Sequence, residues 1–187
     1  GMVVSGLTSF ARYQRDSAWT WEHQAFLRAR TVVGDEALCA AIAELRREVL
    51  MRVRDAETLR REVVDMRSKM RSNLEKRSAG KWDVKQGEGG LIDAEFLTQF
   101  LCLRDAHEHA SLIEYTDNWR QLEALADAHR INAMQKDELL RATRAYRGWL
   151  HRRALQQADG LADQADFTQA RADVEALWQQ LVLGEVQ

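Results

Sequence analysis

The stretch WDVKQGEGGLIDAEF, residues 82–96, places three glycines among residues 87–90 of a chain whose other segments favour helices. The 187 residues contain no proline. Glycine tolerates positive φ and allows another chain or a ligand to come close, so a helical protein uses such a cluster where it needs an unusual bend. The cluster leads directly into an apolar helical pattern with Asp93 and Glu95 in its first turn. The stretch therefore predicts a loop before a helix, which is either a binding edge or only a turn.

Outside this stretch, apolar residues recur with a helical period and short breaks separate the patterns. Gly34 and Asp35 precede one pattern, a break near Asp55 precedes the next, and Gly160 interrupts the C-terminal part. The expected helices are 18–30, a stripe from Leu38 to Val49, one from Leu59 to Leu74, one from Ile92 to Leu103, one capped by Thr116 or Asp117, one from the cap Asn132 to about Gln157, and a stripe from Phe167 to Leu181.

No segment has a competing strand period. We predict an all-α fold, a bundle of about six to seven mostly antiparallel helices. Residues 78–90 are expected to be the only sizeable non-helical segment, and no strand pair is expected.

Length and composition indicate one globular domain. The chain is 45% hydrophobic and 30% charged, which is ordinary for such a domain. Its two cysteines, Cys39 and Cys102, do not suggest a disulfide framework, so we expect a reducing compartment, the cytoplasm. No run approaches the roughly 20 apolar residues of a membrane span, so no membrane partner is expected.

The net charge of −2 conceals an uneven distribution. Residues 46–85 contain thirteen Lys and Arg against seven Asp and Glu, whereas the remainder is acidic. A local basic stretch indicates a local anionic partner, such as a nucleotide phosphate or an acidic protein face. General nucleic-acid binding would make the whole domain basic, so no nucleic acid is expected. Plain solvation of a basic helix face explains the counts equally well.

Several constellations that resemble catalytic or metal sites fail on spacing. His107 and His109 flank Glu108, but two histidines two residues apart do not share a helix face, and the zinc-protease spacing is missing because Ser111 replaces its second histidine. Cys102 lies in an apolar helical pattern, where an inert buried thiol is the default. The residues alone show no catalytic centre and no metal site.

Three segments, in the same order, resemble the glutamine synthetase adenylyltransferase family. Residues 18–30, AWTWEHQAFLRAR, look like the helix that follows its nucleotidyltransferase fold; residues 66–71, MRSKMR, resemble its basic helix; and residues 83–99 resemble its glycine motif. The similarity covers nearly the whole chain. Ala94 departs from the branched aliphatic residue usual there, which implies slightly looser local packing.

The resemblance implies one half of a two-half enzyme, each half a nucleotidyltransferase domain followed by a helical domain. One half attaches AMP from ATP to a tyrosine of glutamine synthetase, the other removes it by phosphorolysis, and glutamine and a PII-type signalling protein regulate both. The segment from Gly90 to Glu95 is more similar to the adenylylating, C-terminal half.

The signature of the nucleotidyltransferase domain is not in this sequence. That superfamily uses a Gly-Ser pair and an Asp-x-Asp pair because metal ions bridge the nucleotide's phosphates, and neither pattern occurs here. We therefore expect residues 2–187 to be the helical domain alone, with Gly1 as a cleavage scar. ATP and Mg²⁺ are expected in the full-length enzyme and no cofactor in this chain, which should not transfer AMP by itself.

The glycine motif supplies the first candidate contacts to the catalytic domain or nucleotide. Lys85 and the backbone at Gly89 and Gly90 are expected to face that domain, because backbone N–H groups at a helix start suit anions. Asp93 and Glu95 argue against direct phosphate contact, and acidic residues in a first helical turn also simply stabilise the helix. A valine at Gly90 is expected to destabilise the domain if Gly90 has a positive φ.

Three further candidates lie on the earlier helices. Arg67 and Arg71 are one turn apart, so they form either a pair facing phosphate or carboxylate, or a solvated pair. Glu22 is expected to pair with an arginine.

Other readings remain open. The chain could be a purely regulatory module that binds glutamine or a PII-type protein, the equivalent domain of a PII uridylyltransferase, or a freestanding helical scaffold. The partners expected on the first reading are its own nucleotidyltransferase domain, glutamine synthetase and a PII-type protein.

Overall fold

A computed structural model describes residues 4–184, so the ends of the expected domain, residues 2–3 and 185–187, lie outside the described residues. The helices are α1 (Leu7–Asp16), α2 (Thr20–Leu27), α3 (Glu36–Leu50), α4 (Ala56–Leu74), α5 (Leu91–Asp105), α6 (Asn118–Asp127), α7 (Ala133–Leu155) and α8 (Thr168–Trp178). The shorter elements are strands β1 (Lys81–Asp83) and β2 (Leu161–Asp163), a 3₁₀ turn (Ala110–Ile113) and a π-helical turn (Gln179–Leu183).

The starts of four helices are fixed by side chains that accept hydrogen bonds from the first-turn backbone. Asp35, Asp55 and Asp117 each accept from the N–H three residues further on, at 2.8, 2.8 and 3.0 Å. Asn132 does the same at 2.9 Å and forms a reciprocal capping box with Gln135. Such caps satisfy N–H groups that have no partner inside the helix. Of the two candidate caps before α6, Asp117 occupies the position.

Helix α5 lies at the centre of the domain. Thirteen of its fifteen residues are buried, and it packs against α2, α4, α6, α7 and α8. A helix that is buried all round must be surrounded by other elements rather than lie on a surface. Asp93, in the first turn of α5, and Glu95, just after that turn, therefore lie inside the domain and not at its edge.

The all-α prediction is confirmed, but the expectation of no strand pair is wrong. Strand β1 pairs antiparallel with β2, with Trp82 opposite Ala162. Each strand has only three residues, too few to show an alternating pattern in the sequence. Residues 156–167, which include β2, also form a second non-helical segment besides the expected one.

The eight α-helices of residues 4–184 exceed the expected six to seven, because α1 was not expected. It begins after Gly6, which offers no capping side chain. The predicted helix 18–30 is shorter, since α2 covers Thr20–Leu27. None of the helices in the described part of the chain is long and apolar enough to cross a membrane.

Candidate functional site: the glycine loop and the arginines of α4

The glycine loop, residues 84–90, is fixed at its start by one carboxylate. Asp83 accepts hydrogen bonds from the backbone N–H groups of Lys85 and Gln86 through Oδ1, both at 2.9 Å. Its Oδ2 accepts from the N–H of Lys76, also at 2.9 Å. The buried Asp83 therefore joins the end of α4 to the loop that precedes α5.

The glycines of this loop are required by packing inside the domain. Gly89 has φ of +69°, and a Cβ there would lie 2.7 Å from the carbonyl oxygen of Arg171 in α8. The positive φ therefore falls at Gly89 and not at Gly90, whose φ is −82°. A Cβ at Gly90 would instead lie 2.8 Å from the carbonyl oxygens of Gly87 and Val84. The close approach that glycine permits is used here by the chain itself.

The buried carboxylate of Asp93 accepts three hydrogen bonds. Arg67 Nε donates to Oδ1 at 2.5 Å, while Arg71 Nη2 and the backbone N–H of Gly89 donate to Oδ2 at 2.7 and 2.8 Å. Arg67 also donates to the carbonyl oxygen of Gln86 at 2.8 Å. The side chains of Arg67 and Asp93 are only 2% and 4% exposed. The two arginines of α4 thus hold α5 and the glycine loop in place.

Burial and charge act in opposite directions on this ion pair. Burial lowers the pKa of the Arg67 guanidinium, and the neighbouring Asp93 carboxylate raises it. A buried charge is tolerated only when it is paired and fully hydrogen-bonded, which the contacts of Arg67 provide.

Glu95 ties two other helices to the start of α5. Its carboxylate accepts from Arg28 Nη1 at 3.0 Å and from Arg147 Nη2 at 2.6 Å. Arg28 is the C-cap residue that follows α2, and Arg147 lies in α7. Glu95 itself is buried while both arginines are about half exposed, so this carboxylate also has partners within the domain.

Glu22 caps α2 instead of pairing with an arginine. It accepts from the Tyr13 hydroxyl at 2.7 Å and from the backbone N–H of Trp19 at 2.9 Å. Within residues 4–184 no arginine forms an ion pair with it, so that expectation is wrong. The reason is local, because Glu22 occupies the third position of α2, from which a glutamate reaches back to the N-cap.

Among the candidates of the glycine motif and of α4, Lys85 and Arg71 remain accessible, and they line different clefts. Exposed Lys85 borders a cleft of about 430 Å³ together with Lys76 and Arg153. Half-buried Arg71 borders a cleft of about 230 Å³ that also contains Glu175. Burial raises the pKa of Glu175, and nearby Glu88 raises it further. The cleft at Arg71 is therefore mixed in charge, whereas the cleft at Lys85 has three basic side chains against the one carboxylate of Asp83.

Residues that the sequence analysis did not single out complete the support of the loop. The Tyr146 hydroxyl, in α7, donates to the carbonyl oxygen of Gly89 at 2.9 Å, and burial raises the Tyr146 pKa. The Trp82 indole donates to the carbonyl oxygen of Glu88 at 3.1 Å. Tyr146 is 57 residues from Gly89, and no local pattern in the sequence indicates that contact.

Across residues 4–184, no group of three or more His, Cys, Asp or Glu side chains is arranged to hold a metal ion. His109 and Glu108 both contact Arg130, through Nη2 at 2.6 and 2.7 Å. Cys102 is buried, and burial raises the pKa of its thiol, which disfavours the reactive thiolate.

The sequence is similar to that of known proteins. Residues 1–46 match the family model described as Glutamate-ammonia ligase adenylyltransferase, and residues 64–181 match the model described as GlnD PII-uridylyltransferase. Over 185 residues, 99% of the chain, the sequence is 44% identical to a bifunctional glutamine synthetase adenylyltransferase/adenylyl-removing enzyme from Nitrosococcus oceani. The chain belongs to the glutamine synthetase adenylyltransferase family. It spans 19% of the length of that relative.

The two family models match different parts of this adenylyltransferase-family chain. The adenylyltransferase model covers α1, α2 and most of α3, including Glu22. The GlnD model covers the second half of α4 through α8, including the glycine loop and Asp93. The helical scaffold that holds the loop is therefore similar to a region of both enzymes, while the N-terminal helices match the adenylyltransferases.

Proposed function

We propose that this chain is the helical domain that follows a nucleotidyltransferase domain in an enzyme that adenylylates and deadenylylates glutamine synthetase. The observation that carries the proposal is the 44% identity over 99% of the chain to a bifunctional enzyme of that name. The segment from Gly90 to Glu95, which is more similar to the adenylylating half, supports that half as its place.

The contacts around Asp93 support the assignment of metal binding to the nucleotidyltransferase domain and not to this chain. Its carboxylate oxygens accept from two guanidinium groups and a backbone N–H. Mg²⁺ requires free oxygen ligands, so these residues do not fit a magnesium site. We assign ATP and Mg²⁺ to the nucleotidyltransferase domain and the supporting surface to this chain.

The candidate residues take two roles in this proposal. Lys85, Arg71 and Glu22 are accessible enough to contact the catalytic domain or its nucleotide. Gly89, Gly90, Asp93, Glu95 and Arg67 are buried, and they position the loop from which Lys85 projects.

The 187-residue chain should give no AMP transfer above background when mixed with ATP, Mg²⁺ and glutamine synthetase. The measurement is incorporation of labelled AMP into glutamine synthetase. The full-length parent enzyme, which supplies the nucleotidyltransferase domain, is the positive control and should label its substrate. Turnover by the chain alone, or no labelling by the parent, would contradict the proposal.

Replacing Lys85 with alanine should leave folding intact but reduce adenylylation by the parent enzyme at least tenfold. An exposed lysine contributes at most about 0.5 kcal/mol to stability. A tenfold loss of rate corresponds to about 1.4 kcal/mol of transition-state stabilisation. A thermal melt of the chain and a steady-state assay of the parent measure the two effects.

The matched control is Lys81→Ala, because Lys81 is an exposed lysine of the same segment that is paired with Asp163 at 2.7 Å. The control should retain activity. An unchanged melt with unchanged activity for Lys85→Ala would remove Lys85 from the contact surface.

A second candidate function is binding of a PII-type protein. The observation that favours it is the match of residues 64–181 to a model named for a PII-uridylyltransferase. As a regulatory module, the chain would bind a PII-type protein or glutamine without contacting ATP. Calorimetric titration of the isolated chain with PII-type protein and with glutamine tests this role. If neither ligand gives a heat of binding, the chain does not have this function.

A further inference from the structure

Two tryptophans at the start of α2 are unusually exposed. Trp19 is 67% exposed and Trp21 is 40% exposed, and their rings meet edge to face with centroids 6.3 Å apart. An indole carries a large apolar surface and is normally mostly buried. An exposed pair of indoles therefore indicates a surface that another molecule covers.

Other tryptophans of this molecule are covered by arginines. Arg171 lies over Trp82 at 4.5 Å from the ring centroid, Arg144 over Trp119 at 4.6 Å, and Arg153 over Trp149 at 5.5 Å. These distances are those of cation–π contacts. Trp19 and Trp21 differ, because no arginine of residues 4–184 is placed over either ring in this way.

The surface beside the two rings carries two carboxylates and one lysine. Trp19, Trp21 and side chains of α4 line a cleft of about 410 Å³, which is bordered by Glu62, Asp65, Met66 and Lys69. Glu62 accepts a hydrogen bond from the Thr20 hydroxyl. Asp65 is exposed and forms no ion pair with any residue of the described chain. Indole faces beside carboxylates suit a guanidinium, which stacks on the ring and donates to the carboxylate.

The position of the two tryptophans in the chain bears on which protein would supply such a guanidinium. Seven of the twelve exposed large apolar residues of the described chain lie within residues 1–46, the part that matches the adenylyltransferase model. The two tryptophans of the cleft lie in the part that matches the adenylyltransferase model, whereas Asp65 lies in the part that matches the uridylyltransferase model. The chain spans only 19% of the relative, so most of that enzyme lies outside it.

We propose that the cleft of Trp19 and Trp21 docks an arginine side chain of the parent enzyme's nucleotidyltransferase domain. The guanidinium stacks on the indoles and donates to Asp65. This inference rests on the proposed function and adds a second contact surface, on α2 and α4, to the one at Lys85. It also explains why α2 keeps two large aromatic side chains in solvent when the chain stands alone.

Hydrogen exchange measured by mass spectrometry, on the 187-residue chain and on the full-length parent, tests the docking. Amides of residues 18–24 and 62–69 should exchange at least tenfold more slowly in the parent, without glutamine synthetase present. Trp19→Ala combined with Trp21→Ala in the parent should remove that protection, and Asp65→Lys should remove most of it. Trp119→Ala is the matched control, because Trp119 is also 40% exposed but already lies under Arg144.

Asp65→Lys keeps the test decisive if the tryptophan variants fail to fold, since Asp65 is exposed and unpaired. Equal exchange in the chain and in the wild-type parent would overturn the docking. Protection that appears only after glutamine synthetase is added would also overturn it, because the occupant would then be the substrate. A parent that labels glutamine synthetase but shows no protection leaves the proposed function intact and removes only this inference. If the parent shows this protection but transfers no AMP, the docking inference stands and the proposed function is wrong.

Discussion

Replacing Asp93 with alanine should unfold this domain or bring it close to unfolding. The change leaves Arg67 as a buried charge without its carboxylate, and it also removes the acceptor of Arg71 and of the Gly89 N–H. Removing one partner of a buried ion pair costs about 3–5 kcal/mol. The whole free energy of unfolding of a domain is about 5–15 kcal/mol, so the loss is a large part of it and, at the lower end of that range, all of it.

The measurement is the midpoint of urea unfolding, followed by circular dichroism. Glu57→Ala is the control, because Glu57 also pairs with an arginine of α4, Arg60, at 2.7 Å, but its side chain is largely exposed. Exposed pairs contribute about 0.2–1 kcal/mol, so the control should change the midpoint little. Similar losses for the two variants would show that the Asp93 contacts do not stabilise the fold as described.

Replacing Gly89 with alanine should also be strongly destabilising, by about 2–5 kcal/mol. Part of the loss comes from holding a residue with a Cβ at φ of +69°, which costs about 1–3 kcal/mol. The rest comes from the contact of that Cβ with the carbonyl oxygen of Arg171 at 2.7 Å, because helix α8 must move away.

Gly80 provides a matched control for the contact with α8. It has the same φ of +69°, but a Cβ there would meet nothing within 4 Å. Gly80→Ala should therefore show only the backbone contribution, about 1–3 kcal/mol. The difference between the two melting curves isolates the contact with α8. If both variants lose the same stability, the close approach of α8 to the loop is not a constraint.

The helix pattern could be predicted where the sequence contains its own start signals. Asn132 is the predicted cap of α7 and Asp117 one of two predicted caps of α6, and each accepts the hydrogen bond that defines a cap. Helix α1 lacked such a signal, because Gly6 offers no side chain. The strands could not be predicted, because their pairing joins two segments about 80 residues apart.

The candidate site shows the same limit. The types of residue were predicted from local motifs, but their partners were not. Arg67 and Asp93 are 26 residues apart, so only the folded chain shows that they bind each other. The position of the positive φ, at Gly89 rather than Gly90, depends on where α8 packs. Glu22 was assigned an arginine partner because arginines are numerous, although the nearer capping geometry decides its contacts.

The pairing of β1 with β2 has a consequence for the order in which the protein folds during its synthesis. Residues 81–83 leave the ribosome long before residues 161–163, with which they pair. The carbonyl of Arg171 that closes on Gly89 emerges later still. Contacts between distant segments form late, because the intervening chain must first be made and its ends brought together. We therefore expect the middle of this chain to be the last part to reach its final conformation. In any nascent chain that ends before α8, the glycine loop should lack its contact with that helix.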